Sequence, residues 1–441
     1  MPTASRATPV QLPPPQATTL ANGVTLLNAP SASRNVGIFL IVRAGSRDET
    51  AETAGLAHYL EHMFYKGTER RPTTKQITRE IDRLGASTNA YTDTEEVGYY
   101  AEGPATAMHE LANIVTDMLS RPLFALEEVE RERNVVLQEL SARLADPDGW
   151  IWDRLGTVTF GGDQPVSWSA AGFPSVIERA TRDQLIDYHR SFYAPAAMCL
   201  TVAGGAVLEP GRAEALLADI PTARPRRREP ARWGQGERYA ANVRPFTPSE
   251  EPQIKMALAV PGIPALDDDR TALSVMTYIL GGGMSSRLFH TVRERNGLAY
   301  SIFAHHEAME DTGVFAIATG TRPKDAAKAI RLSFRELRKL AARPIPATEL
   351  AAAKSAMVGR LLRSTETAMA SARFYGARWR ARLPLETPDD RAAAIRQVTA
   401  AEVQRVAERI AAGIDEVRLA FVGPQDQGDA LLDAAMDRRA G

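Results

Sequence analysis

The sequence predicts an α+β fold built as two similar α/β sandwich domains, each a sheet covered by helices. Three observations point there. At 441 residues the chain is too long for one ordinary hydrophobic core. Apolar strands and amphipathic helices alternate through its first half, and after a proline- and arginine-rich segment the same order begins again. The composition, 44% hydrophobic and 24% charged, is that of a soluble globular protein.

The elements follow from local pattern. Residues 1–16, with Pro9, Pro13, Pro14 and Pro15 and no apolar core, read as a disordered tail. The first domain spans 17–222. Its strand at 36–42, Val36-Gly37-Ile38-Phe39-Leu40-Ile41-Val42, is apolar and partly β-branched. A turn leads to a helix over 55–66, stopped at Gly67, and a second helix covers 74–84. Short strands at 87–92 and 97–102 come next, then helices at 104–119, 126–144, 150–159 and 182–191, and a strand at 198–202. The segment from Pro221 to Pro230 holds three prolines and four arginines without apolar periodicity, so an exposed linker is placed at 223–234.

The second domain, 235–441, repeats the order: a strand over 253–260, an acidic turn over 261–269 and a helix over 270–280. Arg343-Pro344-Ile345-Pro346-Ala347 echoes Arg121-Pro122-Leu123-Phe124-Ala125 at an offset of 222.

Charge and composition exclude some functions. Lys+Arg 53 against Asp+Glu 54 gives a net charge of -1, which argues against a nucleic-acid partner. No stretch reaches the ~18 apolar residues that span a bilayer, so no membrane role is expected. The single cysteine, Cys199, excludes an internal disulfide and reads as a buried small hydrophobe. With no signal-peptide core, the expected compartment is the cytoplasm.

The stretch that carries chemistry is His58-Tyr59-Leu60-Glu61-His62. Residues i and i+4 of a helix share one face, so both imidazoles reach one metal ion, and Glu61 lies close enough to bond a water held there. A catalytic zinc takes a third protein ligand and keeps one open position. The helix over 126–144 offers Glu127, Glu128, Glu130, Glu132 and Glu139. The first three suit a solvated first turn, where acids favour the macrodipole. Glu132 and Glu139, two turns apart on one face with apolar residues between them, are the inward candidates. At the 222 offset they become Lys354 and Leu361, so only the first half carries the metal pattern. His109 and His189 stand singly, and His305-His306 would point to opposite faces of a strand.

The HxxEH motif, the 76 residues between it and Glu139, the flanks Gly55-Leu56-Ala57 and Phe64-Tyr65-Lys66-Gly67-Thr68, and Gly85-Ala86-Ser87-Thr88-Asn89-Ala90-Tyr91-Thr92 resemble the pitrilysin-type zinc peptidases, the inverzincins. The resemblance runs from about Leu20 onward and is to the short two-domain bacterial members, similar to mitochondrial processing peptidase subunits. It implies that His58, His62 and Glu139 hold one Zn2+ per chain, that Glu61 is the general base, and that Glu132 supports the site. It also implies that Asn89 and Ala90 lie on a sheet edge that pairs with an extended peptide. Arg293 and Tyr300 of the second lobe, in Val292-Arg293-Glu294-Arg295-Asn296-Gly297-Leu298-Ala299-Tyr300, are similar to the family's substrate-contacting pair. The lobes would close on the peptide as a clamshell. The implied activity is zinc endopeptidase on unfolded or short peptides, and a homodimer is the simpler assembly beside a heterodimer with a related subunit. A maturation peptidase for one precursor and a non-catalytic scaffold subunit are the competing expectations.

Overall fold

The computed structural model describes residues 13–221, 228–244 and 253–437. The first sheet contains β1 (Gln16–Thr19), β2 (Thr25–Pro30), β3 (Asn35–Val42), β4 (Ser87–Thr92), β5 (Val97–Pro104) and β6 (Met198–Gly204), in the order β1-β2-β6-β3-β5-β4. The second contains β7 (Tyr239–Val243), β8 (Ile254–Pro261), β9 (Ala299–Ala308), β10 (Gly313–Thr321) and β11 (Arg418–Gly423), in the order β7-β11-β8-β10-β9. Apart from β1 the two orders are the same. Each has one parallel pair, β2–β6 and β7–β11, and is otherwise antiparallel.

The 222 offset is realised in the helices. Leu126–Ala145 corresponds to Ala347–Ser364, and Pro147–Phe160 to Ala368–Arg380. The central strands are apolar on both sides because both sides are covered. Val36, Ile38, Leu40 and Val42 of β3 face a core built from their own half, whereas Phe39 and Ile41 face the other way.

That other face is closed by an exchange. The helix Ala368–Arg380, from the second half of the chain, lays Met369, Ala372 and Tyr375 on β3 and β6 of the first sheet. Reciprocally, Pro147–Phe160 lays Ile151, Leu155 and Val158 on Ala257, Ala259, Ala316 and Ala420 of the second sheet. Each of the larger side chains there, Met369, Ile151, Leu155 and Val158, contributes about 1.5–3 kcal/mol. The contact is close: a Cβ at Gly37 would lie 2.6 Å from the Met369 backbone. Residues 17–222 therefore carry β2–β6 and residues 235–441 carry β7–β11, but a helix from each part completes the other sheet.

Two expectations are corrected. Of the tail drawn over 1–16, residues 1–12 lie outside the described residues, and Gln16 already pairs with Asn28 to open β1. Of the linker drawn over 223–234, residues 223–227 also lie outside them. Arg228, however, is not a solvated charge: its guanidinium bonds Asp48 at 2.9 Å and the Glu95 carbonyl at 2.7 Å, and pairs with Glu310 at 3.2 Å. Charge patterning alone could not show that three acids from two halves converge on it.

Candidate metal centre

The metal-motif helix runs Leu56–Phe64. It starts at Gly55, whose φ of 101° is the left-handed region that favours glycine. Its first N–H groups are satisfied from a distance: the Glu49 carboxylate accepts from the Gly55 and Ala57 amides, each at 2.8 Å. Burial pushes the Glu49 carboxyl up to about 8, against those two backbone bonds, which pull it down. Leu56, Ala57, Tyr59, Leu60, Met63 and Phe64 enter the core, and this leaves His58, Glu61 and His62 together on the half-buried face. The two imidazoles meet edge to face, centroids 4.8 Å apart.

Tyr59 donates its hydroxyl to the Val129 carbonyl, which ties this helix to Leu126–Ala145. That second helix buries Val129, Glu132, Val136 and Leu140. With that face inward, Glu139 reaches the histidine pair. Its Oε2 lies 3.6 Å from His58 Nε2 and 3.5 Å from His62 Nε2. His58, His62 and Glu139 each offer one ligand atom, and all three atoms fall within 4.8 Å of one another.

Two imidazoles and a carboxylate, with Glu139 half exposed, match the three-ligand, one-open-position pattern of catalytic zinc. The protonation state of His58 fits too. Burial, together with the neighbouring His62 and Arg143, pushes His58 down to about 4, so its imidazole is neutral and able to ligate. Glu127, Glu128 and Glu130 pair with Arg131 and Arg133 near the helix start and stay away from the cluster.

Glu132 stands one layer behind. It is 4% exposed and accepts from His62 Nδ1 at 3.1 Å. Its other oxygen pairs with Lys66 Nζ at 2.7 Å. Glu61 Oε2 accepts from the Thr92 hydroxyl at 2.6 Å. Burial holds the Glu61 carboxyl above its ordinary value; Thr92 acts in the opposite sense, and the nearby Glu139 charge adds to the rise. Lys66 and Thr92 make contacts that the sequence pattern does not single out. Both lie within the motif flanks, but no spacing rule marks them.

Asn89 and Ala90 lie on β4, which ends its sheet and among the described residues pairs with β5 alone. The structure thus brings a sheet edge next to Glu61, joined through Thr92 on the same strand. Arg293 and Tyr300 are brought to each other instead. Arg293, on a wide π-type turn Phe289–Glu294, donates to the Tyr300 carbonyl at 2.7 Å and stacks over the Phe289 and Tyr300 rings. Tyr300 is 79% exposed. Among the described residues no hydrogen bond or ion pair links either one to the metal cluster. His189 is core, packed on Phe64 and Tyr193, and His109 is exposed. His305 rests on Trp152, while His306 turns the other way to the Ile263 carbonyl.

Both lobes follow one repeated α/β plan, and among the described residues the group of His58, His62 and Glu139 lies in the first of them. The chain matches the family model described as Insulinase (Peptidase family M16) over residues 24–164, and the model Peptidase M16 inactive domain over 179–357. It belongs to peptidase family M16, the pitrilysin type. An uncharacterized zinc protease of Streptomyces coelicolor is 30% identical over 95% of this chain and 92% of its own length. One of Rickettsia felis is 29% identical over 92% and 97%. A protease from Helicobacter pylori shares the fold with a TM-score of 0.83 at 20% identity, covering 94% of this chain and 100% of its own. Among the described residues no helix is long and apolar enough to cross a membrane.

Proposed function

We propose that this chain is a zinc-dependent endopeptidase that hydrolyses peptide bonds in unfolded or short peptides. The observation that carries the reading is the convergence of His58, His62 and Glu139 within 4.8 Å, with Glu61 on the same helix face. These three would hold the ion, and zinc bound there supplies Lewis acidity and a water that ionises near neutral pH.

Glu61 accepts a proton from the attacking water and delivers it to the leaving amine. Its raised carboxyl value suits that exchange, since a general base works best when its pKa approaches the working pH. Thr92 engages Oε2, which leaves Oε1 to handle the proton. The free edge of β4 at Asn89 and Ala90 pairs with an extended peptide through backbone bonds, which are insensitive to side-chain sequence. Arg293 and Tyr300 meet that peptide when the lobes close, Tyr300 donating a hydrogen bond to the developing oxyanion. A homodimer in the cytoplasm is the proposed working form.

The test is digestion of an unbiased peptide library by the purified chain, with metal analysis of the same sample. Zinc near one per chain with cleavage that stops on chelation supports the reading. Zinc-loaded protein that leaves every peptide intact refutes it in favour of a scaffold subunit.

A further inference from the structure

We infer that Lys66 is a positioning residue of the metal site, acting through Glu132 on His62. The inference rests on the metal assignment proposed above and adds a residue to it.

The contacts form a line: Lys66 Nζ to Glu132 Oε1 at 2.7 Å, Glu132 Oε2 to His62 Nδ1 at 3.1 Å, and His62 Nε2 toward the ligand oxygen of Glu139 at 3.5 Å. Glu132 is a carboxylate at 4% exposure. A buried carboxylate is costly unless its charge is balanced, and the neutral N–H of an imidazole supplies a hydrogen bond but no charge. Lys66 supplies the charge. It is held in place by the turn that ends the metal helix, where its amide donates to the Met63 carbonyl at 3.0 Å.

The two histidines differ in what stands behind them. His62 has the Glu132–Lys66 pair, whereas His58 Nδ1 is buried with no hydrogen-bond partner among the described residues. Donation from Nδ1 to a carboxylate selects the tautomer whose Nε2 lone pair is free, fixes the ring plane and raises its strength as a ligand. His62 is therefore the oriented ligand, and Lys66 keeps the orienting carboxylate in register. The pair is neutral as a unit, so its effect on the ion comes from geometry rather than from added charge.

The experiment is zinc affinity of the full-length chain by competition with a chromophoric chelator, for wild type, Lys66→Met, Lys66→Arg, Glu132→Gln and the Lys66→Met/Glu132→Gln double variant. Lys66→Met and Glu132→Gln are each expected to bind zinc about tenfold more weakly, the low end of the range for residues that orient ligands. Lys66→Arg restores affinity, and the double variant is no weaker than Glu132→Gln alone. Where Lys66→Met does not fold, Lys66→Gln replaces it with the same expected loss. The inference is overturned if Lys66→Met, or Lys66→Gln in its place, binds zinc as tightly as wild type, or if the two losses multiply in the double variant. Wild type that binds no zinc overturns the metal assignment and this inference together. Zinc binding without peptide cleavage refutes only the peptidase reading.

Discussion

Replacing Glu95 by alanine removes the carboxylate on which arginines from three parts of the chain converge. Glu95 is 4% exposed. It accepts from Arg47 at 2.7 Å and Arg380 at 3.1 Å, lies 3.5 Å from Arg228, and takes the Glu310 amide at 3.1 Å. Arg47 sits before the metal helix, Arg380 ends the helix donated to the first sheet, and Glu310 lies in the β9–β10 turn of the second. The Glu95 side chain therefore fastens the two halves together. Breaking a buried ion pair from one side costs about 3–5 kcal/mol. Here the low end applies, near 3 kcal/mol, because the arginines keep other acids. Arg47 retains Asp311 at 2.7 Å, Arg228 retains Asp48 at 2.9 Å, and Arg380 retains Glu96. With the whole chain unfolding as one unit, at about 2.1 cal/mol/K per residue, Tm should fall by roughly 3 °C. Urea unfolding followed by far-UV circular dichroism measures it. The exchanged helices make the halves unfold in one transition, so the midpoint should drop with an unchanged slope. A loss below about 1 kcal/mol would mean that Glu95 behaves as a surface charge and would refute the reasoning.

Other substitutions probe the site itself. Glu139→Gln replaces the proposed anionic ligand with a weaker neutral one and should reduce zinc content on dialysis, whereas wild-type occupancy would remove Glu139 from the proposed ligand set. Thr92→Val deletes the hydroxyl on Glu61 while keeping shape; kcat should fall roughly 10- to 100-fold, equivalent to a charge-assisted bond of ~1.5–3 kcal/mol, with zinc content unchanged and Thr92→Ser near wild type. A kcat equal to wild type in the valine variant would dismiss Thr92. Glu49 gives a pH prediction. Its folded value of about 8 exceeds the ordinary 4.5, so the folded state holds the proton more tightly than the unfolded chain. The stabilisation is complete below pH ~4.5 and is lost as pH rises through ~8, at a slope of up to about 1.4 kcal/mol per pH unit. Urea midpoints for Glu49→Gln between pH 5 and 7.5 should decline less steeply than those of wild type, and parallel declines would contradict this.

The metal helix was legible in the sequence because its signal is local. His58 and His62 are four apart, and Leu56, Leu60, Met63 and Phe64 mark the opposite, buried face. The helix carrying Glu139 was legible for the same reason: Val129, Val136 and Leu140 fix its inward side. Which carboxylate becomes a ligand was not local, and the residues alone left Glu132 and Glu139 open until the family pattern separated them. The repeat pointed to two sandwiches, yet nothing in Trp150, Ile151, Leu155 and Val158 says which sheet they cover. That choice is made by long-range packing. Arg228 shows the same limit in charge, since a basic run looks solvated until Asp48, Glu95 and Glu310 are folded around one of its members. Lys66 and Thr92 escaped because their partners, Glu132 and Glu61, lie on other elements.

The central claim is that Glu61 moves the proton in a zinc-dependent peptide cleavage. It is tested most directly by measuring hydrolysis of a peptide cleaved by the wild type alongside zinc content, for wild type and Glu61→Gln. Glutamine keeps the size and the Thr92 contact but cannot act as a base at neutral pH. One zinc per chain is expected in both proteins, with cleavage only in the wild type. Undiminished cleavage by zinc-loaded Glu61→Gln would contradict it.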